Sequence, residues 1–154
     1  MFKEMRRSDK MLTNDEMLEI MDTAEYGILS TVGENGFPYG VPVNFLYKNG
    51  NVYFHSGLAG HKLENMKLSN KVSFCVVKDV ALIPNQFSTK YKSVICFGEV
   101  KEVMDEKKQE IFVLFLEKFS KDFMEAGMEY IKKDSAKAKV YEIEIKNITA
   151  KGRK

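Results

Sequence analysis

The chain has 154 residues, of which 24 are basic and 22 are acidic, so its formal net charge is only +2. A charge this small gives no general electrostatic reason to expect binding to nucleic acid or to a membrane surface. The length fits a single domain with a sizeable core, and we expect one domain over residues 1–154. No signal peptide and no long apolar run is present, which favours a cytoplasmic protein.

The two cysteines, Cys75 and Cys96, do not form a C-x-x-C pair, and both lie in segments that read as strands. Buried, reduced thiols are the expected state for such residues. No His/Cys cluster has the spacing of metal ligands, so no metal site is expected.

The first third of the chain predicts one helix followed by strands. Residues 13–16, Thr-Asn-Asp-Glu, have the spacing of a capping box and open a short amphipathic helix. Residues 26–32 predict a strand, and the alternating apolar residues of 37–47 predict a second. Asn49-Gly50 is a strong hairpin signal that leads into a third strand at 51–55.

The middle of the chain predicts a helix, a strand, a loop and a longer strand. The helix begins at His61 and ends near Asn70, and its apolar positions are Leu63, Met66 and Leu68. A strand is expected at 72–78, a loop containing Pro84 at 79–90, and a long strand at 91–104 with a bulge or bend at Gly98.

The last third predicts two helices and a closing strand. Asp105 is expected to cap an amphipathic helix that runs to about Phe119, and 123–132 a further short helix. Residues 140–148 alternate cleanly, which predicts a strand. The basic residues 151–154 are expected to be a frayed tail. Several antiparallel strands with short turns favour a barrel or a sandwich.

Residues 51–67 combine a strand, a loop of small residues and the basic start of a helix. Gly57 and Gly60 allow the backbone to approach a ligand, and a helix N-terminus offers free N–H groups to an anion. Ser56 adds a hydroxyl group and Lys62 a full positive charge. The pattern predicts a phosphate site. The alternative is an ordinary strand–helix connection with a solvated lysine.

Pro42 lies within the second predicted strand, although proline cannot donate to a sheet ladder, so the strand is expected at an edge or to be irregular. Asn44 follows on the same face. An amide beside an irregular backbone suits the polar edge of a planar heterocycle. The alternative is a structural asparagine bonded to its own backbone.

Segments 25–32, 36–45 and 52–62 occur in this order, with Arg6-Arg7 before them and 93–99 after them. This set resembles the FMN-binding split-barrel family related to pyridoxamine 5'-phosphate oxidase, and most closely its Nim-type (nitroimidazole-resistance) branch, over residues 5–148. The resemblance implies an all-β fold with peripheral helices, a six-stranded antiparallel Greek-key split barrel. It implies an N-terminal arm and helix at 1–24 and a barrel at 25–148, with helices near 61–69 and 105–119.

The resemblance also implies FMN as cofactor and a homodimer with flavin sites at the interface. It places four residues along the flavin ring, largely through their backbone: Val41, Pro42, Val43 and Asn44. It places four more around the rest of the cofactor: Ser56, His61, Lys62 and Ser93. His55 is the candidate catalytic residue, near flavin or substrate, and its competing role is structural.

The function expected from this resemblance is an FMN-dependent oxidoreductase that reduces a small nitroaromatic or quinone-like acceptor. The alternative is a non-catalytic protein that binds flavin, haem or a deazaflavin, with His55 or His61 as a haem ligand. True pyridoxamine-phosphate oxidases carry an arginine-rich substrate end with Trp and His near the C-terminus. This chain has no Trp and only two histidines, which disfavours oxidation of a vitamin phosphate. No Gly-x-Gly-x-x-Gly motif for NAD(P)H is present.

Overall fold

A computed structural model describes residues 1–154. It contains one antiparallel sheet and four α-helices. The helices are α1 (Asn14–Thr23), α2 (His61–Leu68), α3 (Asp105–Phe119) and α4 (Met124–Asp134). The strands are β1 (Tyr26–Val32), β2 (Pro38–Asn44), β3 (Leu46–Lys48), β4 (Asn51–Ser56), β5 (Lys71–Ile83), β6 (Ser88–Val103) and β7 (Lys139–Arg153). None of the helices combines the length and the hydrophobicity needed to cross a bilayer.

The sheet has the strand order β2-β1-β5-β6-β7-β4-β3. Strands β2 and β3 therefore lie at opposite ends of the sheet, although only Phe45 separates them in the chain. This is possible only if the sheet curls until its two edges meet, which is the geometry of a barrel left open between those edges. The split barrel implied by the sequence is confirmed.

The barrel has seven strands rather than the six predicted, because the predicted strand 37–47 divides at Phe45. The Phe45 side chain is fully buried, and its ring meets that of Phe74 edge-on at 5.0 Å. Leu46 is also buried, so the alternation of buried and exposed residues breaks there. The chain turns a corner at Phe45 and continues on the other edge of the sheet.

Helix α1 closes one side of the barrel. Thr13 and Glu16 form the predicted capping box, with both reciprocal hydrogen bonds present. Ile20 and Met21 are fully buried and join the main core inside the barrel. The tight hairpin at Asn49-Gly50 is confirmed, and both residues have positive φ as such a turn requires.

Two predictions for irregular chain are wrong. Residues 79–90 are mostly not a loop: β5 and β6 stay paired out to Ile83 and Ser88, with a short 3-10 turn between them. This hairpin extends beyond the barrel, and we call residues 79–90 the arm. Residues 151–153 are not a frayed tail either, because β7 continues through them, paired with Tyr91–Ser93 of β6. The predicted irregularity at Gly98 is confirmed by a register shift between Phe97 and Gly98.

Three smaller predictions also change. Leu68 is exposed, although Leu63 and Met66 are buried as expected. Met104 rather than Asp105 occupies the N-cap of α3. The clean alternation of β7 does not separate buried from exposed residues, because Val140 and Glu142 are buried under α3 while Tyr141 and Ile143 face the barrel core.

Candidate functional site

Strand β4 presents its last three residues to three different surroundings. Phe54 is fully buried in the barrel core, as alternation predicts. His55 points to the opposite face, where its ring lies 4.8 Å from the ring of Phe115 and 6.2 Å from that of Phe112, both on α3. Ser56 ends the strand with its side chain turned inward and buried.

Ser56 is the clearest sign of a ligand site. Its Oγ is the one buried side-chain oxygen or nitrogen atom that lacks a hydrogen-bond partner. A buried hydroxyl group left unsatisfied is unfavourable, so such an atom needs a specific explanation. A ligand that accepts or donates a hydrogen bond at this position would supply it.

Only four residues separate Ser56 from the start of α2. Gly60 precedes the helix with φ +146°, a conformation that L side chains rarely adopt, and no side chain caps the first turn. The free N–H groups of that turn favour an anion. Lys62 lies in the turn, half-buried, and takes part in none of the ion pairs of the chain. We call Ser56, Gly60 and Lys62 the cradle.

The cradle and His55 are close enough to influence each other. Burial lowers the pKa of the His55 imidazole, and the positive charge of Lys62 lowers it further. Both effects disfavour the imidazolium form, so His55 is mainly neutral at neutral pH.

Two contacts fix α2 in place. The buried Asn65 amide donates a 3.0 Å hydrogen bond to the hydroxyl of Thr31 on β1. The ring of His61, the first residue of α2, packs against the ring of Tyr39 on β2 with 4.0 Å between their centroids. The cradle is therefore held against both β1 and β2. Asn65 was not predicted as a site residue. Its position between the buried Leu63 and Met66 was a signal that this polar side chain is also buried and hydrogen-bonded.

Strand β2 contributes a free backbone edge. It pairs with β1 on one side only, so along its other side the backbone N–H and C=O groups are available to a ligand. Val41 and Val43 pack against the core, while Pro42 and Asn44 are exposed on the other face. The predicted edge position of Pro42 is confirmed. The Asn44 amide donates a 2.8 Å hydrogen bond to the carbonyl of Glu25, which leaves its oxygen free.

A cavity of about 560 Å³ lies between α3, α4 and the ends of β2 and β4. We call it the helical cavity. The residues that line it are Asn44, His55, Phe112, Phe115, Leu116, Phe119, Ser120, Tyr130, Ile131, Asp134, Ser135, Lys137 and Ala138. It thus brings together two predicted site residues, Asn44 and His55, with a set of aromatic residues that were predicted only as one side of a helix or not at all.

Most of the chain matches the model of one protein family. The family model for pyridoxamine 5'-phosphate oxidase matches residues 13–152. The chain belongs to this family. A search of curated proteins returns no match.

Solved structures of similar proteins support the same fold. A Bacteroides thetaiotaomicron protein named for 5-nitroimidazole antibiotic resistance is 25% identical, with a TM-score of 0.80 over 93% of this chain and 86% of its own. An FAD-binding protein of Mesorhizobium loti is 19% identical, with a TM-score of 0.67 over 93% and 95%. The haem storage protein HutZ of Vibrio cholerae is 15% identical, with a TM-score of 0.68 over 90% and 94%. The fold of this pyridoxamine 5'-phosphate oxidase family member is thus shared by proteins of different cofactors.

Ser93, a predicted site residue of this family member, lies apart from the cradle, as does Arg7. Ser93 is buried in β6, where its hydroxyl donates a long 3.5 Å hydrogen bond to the carbonyl of Lys151, and it lines a separate small cavity. Arg7 pairs with Asp9 through a two-pronged contact on the surface. Neither side chain is brought to Ser56 or Lys62 within one copy of the chain.

Proposed function

We propose that the protein binds FMN in the cradle and along β2, and uses it to reduce a small nitroaromatic or quinone-like acceptor. The unsatisfied hydroxyl of Ser56, beside the uncapped start of α2 and the unpaired Lys62, is the observation that supports this most directly. We also propose that the protein works in the cytoplasm.

The cradle suits the phosphate group of FMN. A phosphate monoester carries roughly −1.5 to −2 charges near neutral pH. Burying that charge without a cation would be costly, and the Lys62 ammonium group supplies one. Ser56 would donate its hydroxyl hydrogen, and the first N–H groups of α2 would add backbone donors.

The ring of the flavin would lie along β2. The unpaired backbone edge of Val41, Pro42 and Val43 offers hydrogen bonds that do not depend on side-chain identity. Pro42 donates none, so the donors to the ring would come from its neighbours. The free oxygen of the Asn44 side chain adds an acceptor at the end of the strand.

The bound flavin would supply the electron chemistry. His55 would orient the acceptor through a ring nitrogen, or, in its imidazolium form, would deliver a proton to it and become neutral. The rings of Phe112 and Phe115 pack against the imidazole from one side, and the rest of His55 stays exposed.

A homodimer would complete the site, as the resemblance implied. The arm carries exposed apolar residues, among them Val80, Leu82 and Phe87, of which Phe87 is 97% exposed. Exposed apolar groups clustered on one element are typical of an interface. Light scattering should give twice the 17.7 kDa chain mass, and a monomer that holds flavin would contradict the dimer.

The phosphate site is tested by titrating flavin-free protein with FMN and with riboflavin. FMN should bind more tightly, and Lys62→Ala should weaken FMN without changing riboflavin. Loss of a charge-assisted hydrogen bond costs about 1.5–3 kcal/mol, which is roughly tenfold or more in affinity. Lys67→Ala is the matched control, because Lys67 is exposed in the last turn of the same helix. Equal affinity for the two ligands would remove the phosphate site.

The chemistry is tested by spectroscopy and by rapid mixing. The purified protein should show the two broad absorption bands of a flavin, whereas an intense Soret band would favour the haem-binding alternative. Reduced protein should pass electrons to a nitroimidazole or a quinone faster than free reduced FMN does. A rate no faster than that of free FMN would refute the reductase function. If a His55→Ala variant that still holds FMN transfers electrons as fast as wild type, His55 has only a structural role.

A further inference from the structure

The helical cavity adjoins the cradle across β4, because His55 lines the cavity while the next residue, Ser56, belongs to the cradle. Its volume of about 560 Å³ lies within the usual range of small-molecule sites. The phosphate and the backbone edge of β2 do not use the cavity. Of the groups proposed to contact the cofactor only the Asn44 side chain reaches it, so most of the cavity is left without an occupant.

The wall of the cavity selects for a flat apolar molecule. Phe112, Phe115 and Phe119 of α3 line one side, and Tyr130 of α4 adds a fourth aromatic ring. Aromatic rings gain from stacked or edge-on contact with another ring, in addition to the burial of apolar area. Phe115 and Phe119 are already stacked with 5.9 Å between their centroids, which presents a continuous aromatic surface.

The polar groups of the cavity select against a charged molecule. The carboxylate of Asp134 is paired with the ammonium group of Lys137 at 2.8 Å, so the two charges compensate each other. Asn44 and His55 are neutral hydrogen-bonding groups at the opposite end. A buried ionic ligand would find no free partner of opposite charge in this lining and would be bound weakly.

We propose that the helical cavity binds an uncharged, planar aromatic molecule of one or two rings, stacked on the aromatic wall and hydrogen-bonded at Asn44 or His55. If the proposed function holds, on which this role rests, the molecule is the electron acceptor. Entry would be past α4, which buries only Ile131 and is therefore the most weakly held wall.

The test uses fluorescence, because the chain contains no tryptophan. Tyr130→Trp introduces a single indole at the cavity, where Tyr130 is 67% exposed and tolerates replacement. Phe123→Trp is the control: Phe123 is 70% exposed, lies between α3 and α4, and does not line the cavity. The quenchers are 4-nitrobenzyl alcohol, which is uncharged, and 4-nitrobenzoate, which has the same ring and a negative charge.

In flavin-free protein, 4-nitrobenzyl alcohol should quench the Tyr130→Trp variant with a saturable dependence and the Phe123→Trp variant only linearly. The benzoate should bind about tenfold more weakly or not at all. Ala138 also lines the cavity, so adding Ala138→Phe to the Tyr130→Trp variant should fill it and abolish the saturable quenching. Circular dichroism confirms that each variant is folded.

Three results would overturn the inference: linear quenching of both variants, equal binding of the alcohol and the benzoate, or loss of saturable quenching when FMN is added. The last result would mean that the flavin ring itself occupies the cavity. The first two results are obtained without flavin, so they do not depend on the proposed function. Saturable binding by a protein that takes up no flavin would support the cavity as a ligand site and refute its role in electron transfer.

Discussion

The buried carboxylate of Glu142 allows a quantitative test of how α3 is attached to the barrel. Glu142 is 3% exposed on β7. It accepts hydrogen bonds from the hydroxyl of Tyr53 and, at 2.6 Å, from the ammonium group of Lys107 on α3. Lys101 of β6 lies 3.3 Å away. The cluster therefore joins α3 to three strands, β4, β6 and β7.

Replacing Glu142 by Gln keeps the shape and an acceptor for Tyr53, but removes the negative charge that Lys107 and Lys101 face. A hydrogen bond to a charged group contributes about 1.5–3 kcal/mol, against roughly 0.5–1.5 kcal/mol for a neutral one. Both lysines are half exposed, which screens them. We expect the free energy of unfolding to fall by about 1–3 kcal/mol at pH 7. Glu144→Gln is the control, since that carboxylate is 49% exposed and pairs only with Lys146, so it should change the free energy of unfolding far less than Glu142→Gln does.

The pH dependence gives the sharper result. Burial alone would raise the pKa of Glu142, but the hydrogen bonds from Lys107 and Tyr53 outweigh it and hold the pKa below its ordinary value. A carboxyl group with a lowered folded-state pKa stabilises the protein above its unfolded pKa, and this stability is lost as the pH falls through the folded value. Urea unfolding of wild type and Glu142→Gln should be compared at pH 7, 5.5, 4.5 and 3.5. The difference in their free energies of unfolding should stay constant from pH 7 to about pH 4.5 and should shrink below that pH. A difference that is the same at pH 7 and pH 3.5 would refute the reasoning.

Two further predictions concern packing and alkaline stability. Gly98→Ala would place Cβ 2.5 Å from the carbonyl oxygen of Glu144. It should lower the free energy of unfolding, measured in urea, by about 1–3 kcal/mol. Gly57→Ala is the control, because its Cβ would meet nothing closer than 4.0 Å and should not lower this free energy. Burial lowers the pKa of Lys118 to about 8, so between that pH and 10.5 the unfolded chain binds more protons and stability should rise with pH. Lys118→Met should lack that rise, and a parallel rise in both proteins would show that another group causes it.

The sequence predicted the elements whose signals are local. The capping box at Thr13, the turn at Asn49-Gly50 and the irregularity at Gly98 each depend on a few neighbouring residues, and all three are confirmed. The corner at Phe45 was missed, since its alternating pattern continues across the turn and only the opposite edge of the sheet shows where the strand ends. The arm was missed because a hairpin that packs on no core carries no alternating burial pattern.

The same distinction applies to the site. Ser56, Gly60 and Lys62 lie within seven positions, so the sequence motif predicted that they form one candidate site. The helical cavity joins Asn44 of β2 to Tyr130 of α4, and no local pattern connects residues so far apart. Glu142 was expected to alternate outward, and only the position of α3 over β7 shows that this outward face is buried.

Strand β4 explains why local and distant parts of the site meet at His55. Phe54 lies in the core, His55 lines the helical cavity and Ser56 belongs to the cradle. A register slip of one residue would turn each of these side chains to the opposite face of the sheet. Two features prevent the slip. The tight turn at Asn49-Gly50 fixes β4 against β3, and the Asn51 side chain accepts a 3.1 Å hydrogen bond from the backbone N–H of Ile145 on β7. The short turn and one asparagine thus set which side chain faces the helical cavity and which lies in the cradle, and the chemistry proposed for His55 depends on that register.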